Sequence, residues 1–441
     1  MLLTYQIFGS ANETNPKREV DIPLEVPLYD FPYNQSSGYT FPSMAQSLYI
    51  TKSFYQFSHN LIERNISSRF WRRTSIVLFD VFSLYFPPGD AWLHEEAHRA
   101  VMGQYGIDSY NEVYDIPLFS ETIAVSDVTD EELIGLKRDH PADMVRLHSA
   151  GIESQYELVL KLEKDQFFSH SPTWDQPLIW LNYLNNFAYL ATCASNESNS
   201  ITNDILNAED QDVSNRDFTG LDCNAWVYDL FRPNEAYTDR GVHPSGVGVD
   251  RYIRYSDLTS EEQDYLKTQV KLSLLNFIDP FLFGVKSLDD YFGTPNNDWR
   301  WNATIRHHIT PFGNNIGVNV FMKKETTNLF WTLNYYSNKN NRFMGLDASA
   351  LRYPFQIKNL SLQSSLRASV WLQPKDQSFY ANEKSLGYLI SVKSYYSITK
   401  NFELFLELMN KQSGWVPSEV SLDSETAGRL GFAYHIRSGL N

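Results

Sequence analysis

From Trp299 onward apolar and polar residues alternate with a period of two. Trp299, Trp301, Ala303, Ile305 and Ile309 fall on one face; Arg300, Asn302, Thr304, Arg306, His308 and Thr310 fall on the other. The same alternation recurs through Ile316, Val318, Val320 and Met322, through Leu329, Trp331, Leu333 and Tyr335, and through Leu366, Ala368, Val370 and Leu372. Successive side chains of a strand point to opposite faces, so the pattern predicts strands. Eight are expected, at 299–310, 315–324, 328–337, 342–353, 359–373, 385–398, 401–411 and 427–437, joined as antiparallel hairpins.

Ahead of this region the signals are helical. Thr129 with Glu132, and Thr259 with Glu262, have capping-box spacing, and Pro87, Pro88, Gly89 and Asp90 form a breaker before a segment that Gly106 ends, predicting a helix over about 91–105. Three apolar runs, at 74–86, 177–193 and 270–285, read as buried helices, and no run of 18 uninterrupted apolar residues predicts a spanning helix. An extended segment at 1–42, a helical domain at 43–294 and a β domain at 295–441 follow.

Charge sharpens that boundary. Residues 1–294 carry 21 basic and 43 acidic side chains, residues 295–441 carry 16 and 10, and the net charge of −16 argues against nucleic acid as a partner. The polar face of the β half holds Arg306, Arg367, Lys393, Glu403 and Glu407. A packed sandwich core could not take them inside, although a sandwich could turn them to solvent; a barrel lumen accepts them while lipid covers the apolar outside. The tight turn at 399–401 and the long loop at 411–428 fit the short and long connections of such a barrel. The expected class is therefore α+β: a mainly helical N-terminal domain, then an antiparallel β-barrel of about eight strands resembling bacterial outer-membrane barrels. That resemblance implies an outer-membrane location with the helical domain facing the periplasm. The opening residues lack the basic flank and apolar core of a signal peptide, which an exported form would have lost.

Cys193 and Cys223 bracket a polar stretch that reads as a long surface loop. A disulfide closing it would stabilise by about 3 to 4 kcal/mol on the chain-entropy account. Two buried free thiols remain the alternative.

The candidate chemistry lies in "AWLHEEAHRAVMG", 91–103. His94 and His98, four apart on one helix, can present both imidazoles to one ion, with Glu95 beside them as general base. Further on, "AGIESQYELVLKLE" places Glu153 and Glu157 four apart on a helical segment, with His148 competing nearby. Together the two motifs resemble the zinc helices of gluzincin metallopeptidases. The resemblance implies Zn²⁺ held by His94, His98 and Glu153, with Glu157 orienting a ligand histidine. The glycine-containing loop 239–258 offers His243, Arg251 and Tyr252 to a developing oxyanion, and Tyr156 is a further candidate. The expected activity is zinc-dependent hydrolysis of a peptide or protein substrate in the bacterial cell envelope. The competing expectations are a non-catalytic subunit or scaffold of an outer-membrane complex, and a hydrolase of lipid or lipopolysaccharide.

Overall fold

The computed structural model describes residues 20–117, 123–169, 173–208, 212–292, 298–357 and 360–438. The class is α+β, with helices mostly N-terminal and one large antiparallel sheet. Strand β1 (Val20–Phe31) precedes the helices. After them come β2 (Arg300–Thr310), β3 (Gly313–Lys324), β4 (Thr327–Ser337), β5 (Arg342–Ile357), β6 (Leu360–Pro374), β7 (Lys384–Ser397), β8 (Phe402–Lys411) and β9 (Glu425–Ser438), close to the eight expected segments.

These eight form a meander, and β1 adds to β9 as a ninth strand, with Ile22 opposite Ile436 and Phe31 opposite Gly428. Pro23 and Pro27 are tolerated there because β1 is an edge strand with only one ladder to fill.

The sheet is not a closed barrel, which corrects the expectation from the alternation. β1 and β2 stand at opposite edges and do not pair. Backbone groups at these edges bond to the helical part instead. The Ser53 hydroxyl donates to the Glu25 carbonyl at 2.9 Å, and Asn276 accepts from the His307 N–H at 2.6 Å while its amide donates to the His307 carbonyl at 3.4 Å. The Leu288 N–H donates to the Trp301 carbonyl at 2.8 Å. These bonds take up part of the backbone hydrogen-bonding capacity that a closing strand would otherwise meet.

The longer helices are α1 (Met44–Asn65), α2 (Arg69–Ser83), α3 (Asp90–Gln104), α4 (Asp130–Asp139), α5 (Pro141–Phe168), α6 (Gln176–Cys193), α7 (Glu197–Ala208), α8 (Asp222–Phe231) and α9 (Ser260–Ser273). Both predicted capping boxes are present: Thr129 with Glu132 opens α4, and Thr259 with Glu262 opens α9. Gly106, at φ 69°, follows the end of α3 in the left-handed conformation that glycine adopts without strain. α5 is the central strut, buried along most of its length and packed on α1, α3, α4, α6, α8 and β2.

Polarity is inverted over much of this frame. The sheet's polar face turns inward, where Arg306 pairs with Glu163, Lys393 with Glu25 at 2.6 Å, and Arg367 with Asp347 at 2.7 Å. The outward face carries Leu333, Met344, Leu386, Ile390, Leu408 and Leu430, each at least half exposed. The run 74–86 is likewise not the buried helix expected. In α2 the polar Asp80 and Ser83 are buried beside Ile76, bonded to His59 and Tyr55, while Val77, Leu78, Val81 and Phe82 are exposed. Leu274, Ile278 and Phe283 of the third run are exposed as well. No described helix is long and apolar enough to cross a membrane.

Cys193 and Cys223 are free, buried thiols, so of the two readings of this pair the free thiols hold and the disulfide does not. The stretch between them is also not a structureless loop, because it contains α7. Burial, reinforced by hydrogen bonding and charge from Cys193, pushes the Cys223 thiol well up, which keeps it protonated.

Candidate metal centre

α3 crosses α5 where Gly151 leaves space for an imidazole: a Cβ at that position would lie 2.3 Å from His94 Nε2. One turn along α3, His98 packs its ring 4.9 Å from that of His94, with Phe218 behind it at 5.1 Å. The first turn of α8 brings in Asp222. Its Oδ2 lies 2.9 Å from His94 Nε2 and 3.3 Å from His98 Nε2. One ligand atom from each of these three side chains falls within 4.8 Å of the others.

Bonds behind the rings fix their tautomers. His98 Nδ1 donates to the Leu147 carbonyl at 2.6 Å, and His94 Nδ1 donates to Gln155 Oε1 at 3.2 Å. The Gln155 amide in turn donates to Asp90 Oδ2 at 2.6 Å, which sets its own orientation. With both Nδ1 atoms so engaged, both Nε2 atoms point at the Asp222 carboxylate. This is the outer-shell arrangement that prepares histidines to bind a metal. The Asp222 N–H donates to the Tyr189 hydroxyl at 2.9 Å, tying α8 to α6.

His94, Gln155, Tyr189 and Asp222 border a cavity of about 300 Å³, which Glu95, Asp90, Asp217, Asn185 and Tyr85 also line. No Lys or Arg lines it, and the electrostatics follow. Burial disfavours a charged His94, but its hydrogen bond to Asp222 and the charges of Glu95 and Asp222 outweigh it and push the imidazole up to about 9. Burial also opposes ionised Asp222, yet His98 and His94 hold its carboxyl well down. Glu95 is pushed up to about 8 by burial, with Asp222 and Asp217 adding to the rise against the pull of the histidines. Without a metal, a proton shared between imidazole and carboxylate stands where a cation would go.

The structure brings together His94, His98 and Glu95, but the third donor differs from the one expected. Glu153 projects elsewhere: Arg146 holds its carboxylate in a buried pair, the Trp415 indole donates to it at 2.7 Å, and the Ser418 N–H donates at 2.9 Å. Glu157 also leaves the histidines and lines a second cavity, of about 230 Å³, between α5 and the sheet. Gln155 holds the orienting position that Glu157 was expected to fill. His148 is bonded to Asp229 and Thr219, each at 3.0 Å.

His243 and Tyr252 do not line the metal cavity. His243 is buried against the Ser245 hydroxyl at 2.9 Å. The Tyr252 hydroxyl donates to the Asp217 carbonyl at 3.2 Å, and its ring packs on Gly220, so it braces the turn leading to Asp222. Arg251 is bonded to Asp130 at 2.9 Å, and Tyr156 packs against His308.

Sequence reasoning missed Asp222, Gln155 and Gly151. The one signal for Asp222 was its place beside Cys223 in "FTGLDCNAW". Comparison with family models, with curated proteins and with solved structures gives no match to this chain.

Proposed function

We propose that His94, His98 and Asp222 hold a Zn²⁺ ion and that the cavity hydrolyses an amide bond of a peptide or protein. The observation that carries this reading is the convergence of both Nε2 atoms on Asp222 Oδ2 with Glu95 lining the same cavity. Two imidazoles and one carboxylate suit a divalent transition metal and leave room for a further ligand. When bound, such an ion polarises a carbonyl and acidifies water.

Glu95 adjoins the ligand His94 and lines the cavity, placed to accept a proton from the attacking water and return it to the leaving amine. Gln155 and the Leu147 carbonyl keep the imidazoles in their binding tautomers, and Asp90 anchors Gln155. Tyr85 and Asn185 supply polar groups on the cavity wall for orienting a substrate. The inverted sheet supports a seat in a lipid bilayer, read as the bacterial outer membrane with the helical part on the periplasmic side.

The test is metal analysis of purified protein together with a peptide-library cleavage screen of wild type and Glu95→Gln. The expected result is one zinc per chain in both, with turnover reduced by about 10²- to 10⁴-fold in Glu95→Gln. Zinc without any difference between the two would support a scaffold with a structural metal. No metal in the wild type would overturn both readings.

A further inference from the structure

An open sheet edge cannot face hydrocarbon, because its backbone groups would go unsatisfied. If the nine-stranded sheet is seated in lipid, something else must wall off the gap between β1 and β2. The packing supplies a circuit of neighbours across that gap. α1 packs on β1, α2 on α1, and α6 on α2; the turns Leu274–Phe277 and Pro280–Phe283 pack on α6 and also on β2.

Each member of this circuit turns a large apolar side chain outward. Leu28 of β1 is 62 % exposed, Leu61 of α1 51 %, Leu78 of α2 52 %, Leu184 of α6 51 % and Phe283 of the last turn 68 %. Singly these would be ordinary, but one on each packed neighbour from one sheet edge round to the other is not. α2 makes the strongest case, since Asp80 and Ser83 face the protein beside Ile76 while Val77, Leu78, Val81 and Phe82 face out. At its N-terminal end Arg69, Arg72 and Arg73 flank exposed Phe70 and Trp71, the pairing of cations and aromatics found at the headgroup level of anionic membranes.

We infer that α1, α2, α6 and the two turns form the lipid-facing wall of the open seam, with α2 seated against anionic headgroups. The membrane-embedded rim is then part sheet and part helix. Leu84 and Tyr85, which follow α2, and Asn185, beside Leu184, also line the metal cavity. The cavity therefore opens at the lipid boundary. This inference rests on the sheet being seated in lipid, as proposed above, and is independent of whether the cavity hydrolyses anything.

The test uses the full chain reconstituted in vesicles of phosphatidylcholine with phosphatidylglycerol. Nitroxide labels are placed singly through Leu78→Cys, Leu184→Cys, Ile278→Cys, Ile390→Cys on the outer face of the sheet, and Asp264→Cys on exposed α9. Labels at 78, 184 and 278 should match that at 390, relaxed by oxygen and shielded from a water-soluble nickel chelate, with 264 the reverse. If 390 is in lipid while 78, 184 and 278 behave like 264, the seam faces water and this inference fails with the sheet reading intact. If 390 also behaves like 264, both fail. In unlabelled protein, the triple substitution Arg69→Gln, Arg72→Gln and Arg73→Gln should abolish any preference for phosphatidylglycerol over purely zwitterionic vesicles. An unchanged preference would overturn the headgroup assignment. The metal reading is separated by Asp222→Ala, which should leave every label depth unchanged.

Discussion

The two cavities flanking α5 are both rich in buried charge, yet they are balanced differently. On the sheet side, Arg306, Arg367, Lys393 and Arg429 each meet a carboxylate within the protein: Glu163, Asp347, Glu25 and Asp30. On the other side, Asp90, Glu95, Asp217 and Asp222 line the cavity with His94, and no Lys or Arg joins them. Buried charges are tolerable only when compensated. The first cavity is compensated by covalently attached cations, whereas the second is left with a deficit of positive charge that protons fill in the absence of a metal. Charge balance, more than the number of acidic residues, marks the second as the candidate metal centre.

The sharpest way to break this comparison is to remove one carboxylate on each side of it, Glu153 of α5 and Asp222 of α8. Glu153→Gln strips the partner from buried Arg146 and should cost about 3 to 5 kcal/mol of stability while metal binding persists. Asp222→Ala should instead lower metal affinity by at least about 100-fold, since it removes a ligand where outer-shell losses alone reach that size. Thermal unfolding and metal titration of the two variants in one detergent decide it: loss of metal with Glu153→Gln and its retention with Asp222→Ala would reverse the donor assignment.

A pH series sharpens the comparison next. In metal-free protein His94 has its affinity for protons raised from the ordinary 6.5 to about 9. Its contribution to stability is therefore fully present below pH 6.5 and is lost as the pH rises through about 9, on the order of 3 kcal/mol. Metal binding must displace that proton, so metal affinity should rise over the same interval. Unfolding with and without zinc at pH 6 and pH 9.5 should show opposite trends; parallel trends would show that His94 is not a donor.

Gly151→Ala is a smaller perturbation, because the added methyl must push the His94 ring aside. A stability loss of about 1 to 3 kcal/mol and weaker metal binding are expected. Unchanged affinity would show that the ring has another place to go. The smallest effect concerns the thiols: unfolding with and without reductant should agree within about 0.5 kcal/mol, since no disulfide is there to reduce.

What the sequence made legible follows from period. Alternation placed β2 to β9 within a few residues, because one inward and one outward face is a property of each strand alone. Closure is a property of the edges, and depends on what packs against them. β1 was read as an extended segment because its prolines forbid only a central position in a sheet. On α5, helical spacing identified the right helix and the wrong face. Glu153 and Glu157 are four apart, but so are Gly151 and Gln155, turned about 200° around the axis. Spacing cannot say which pair faces the histidines. α2 failed for a related reason: a run of apolar residues reveals an amphipathic face, not whether that face looks inward.

The chain leaves the sheet at β1 and returns to it at β2, the two edges that never meet. Everything between, including α3 and the first turn of α8, is thus strung across the opening like a tether fastened at both ends. His94 on α3 and Asp222 on α8 both lie on this stretch. If the sheet is seated in lipid and the cluster holds a metal, as proposed above, the expected consequence is mechanical: bilayers of different acyl-chain length should change metal affinity in wild-type protein, and a crosslink between α1 and β1 should blunt that response.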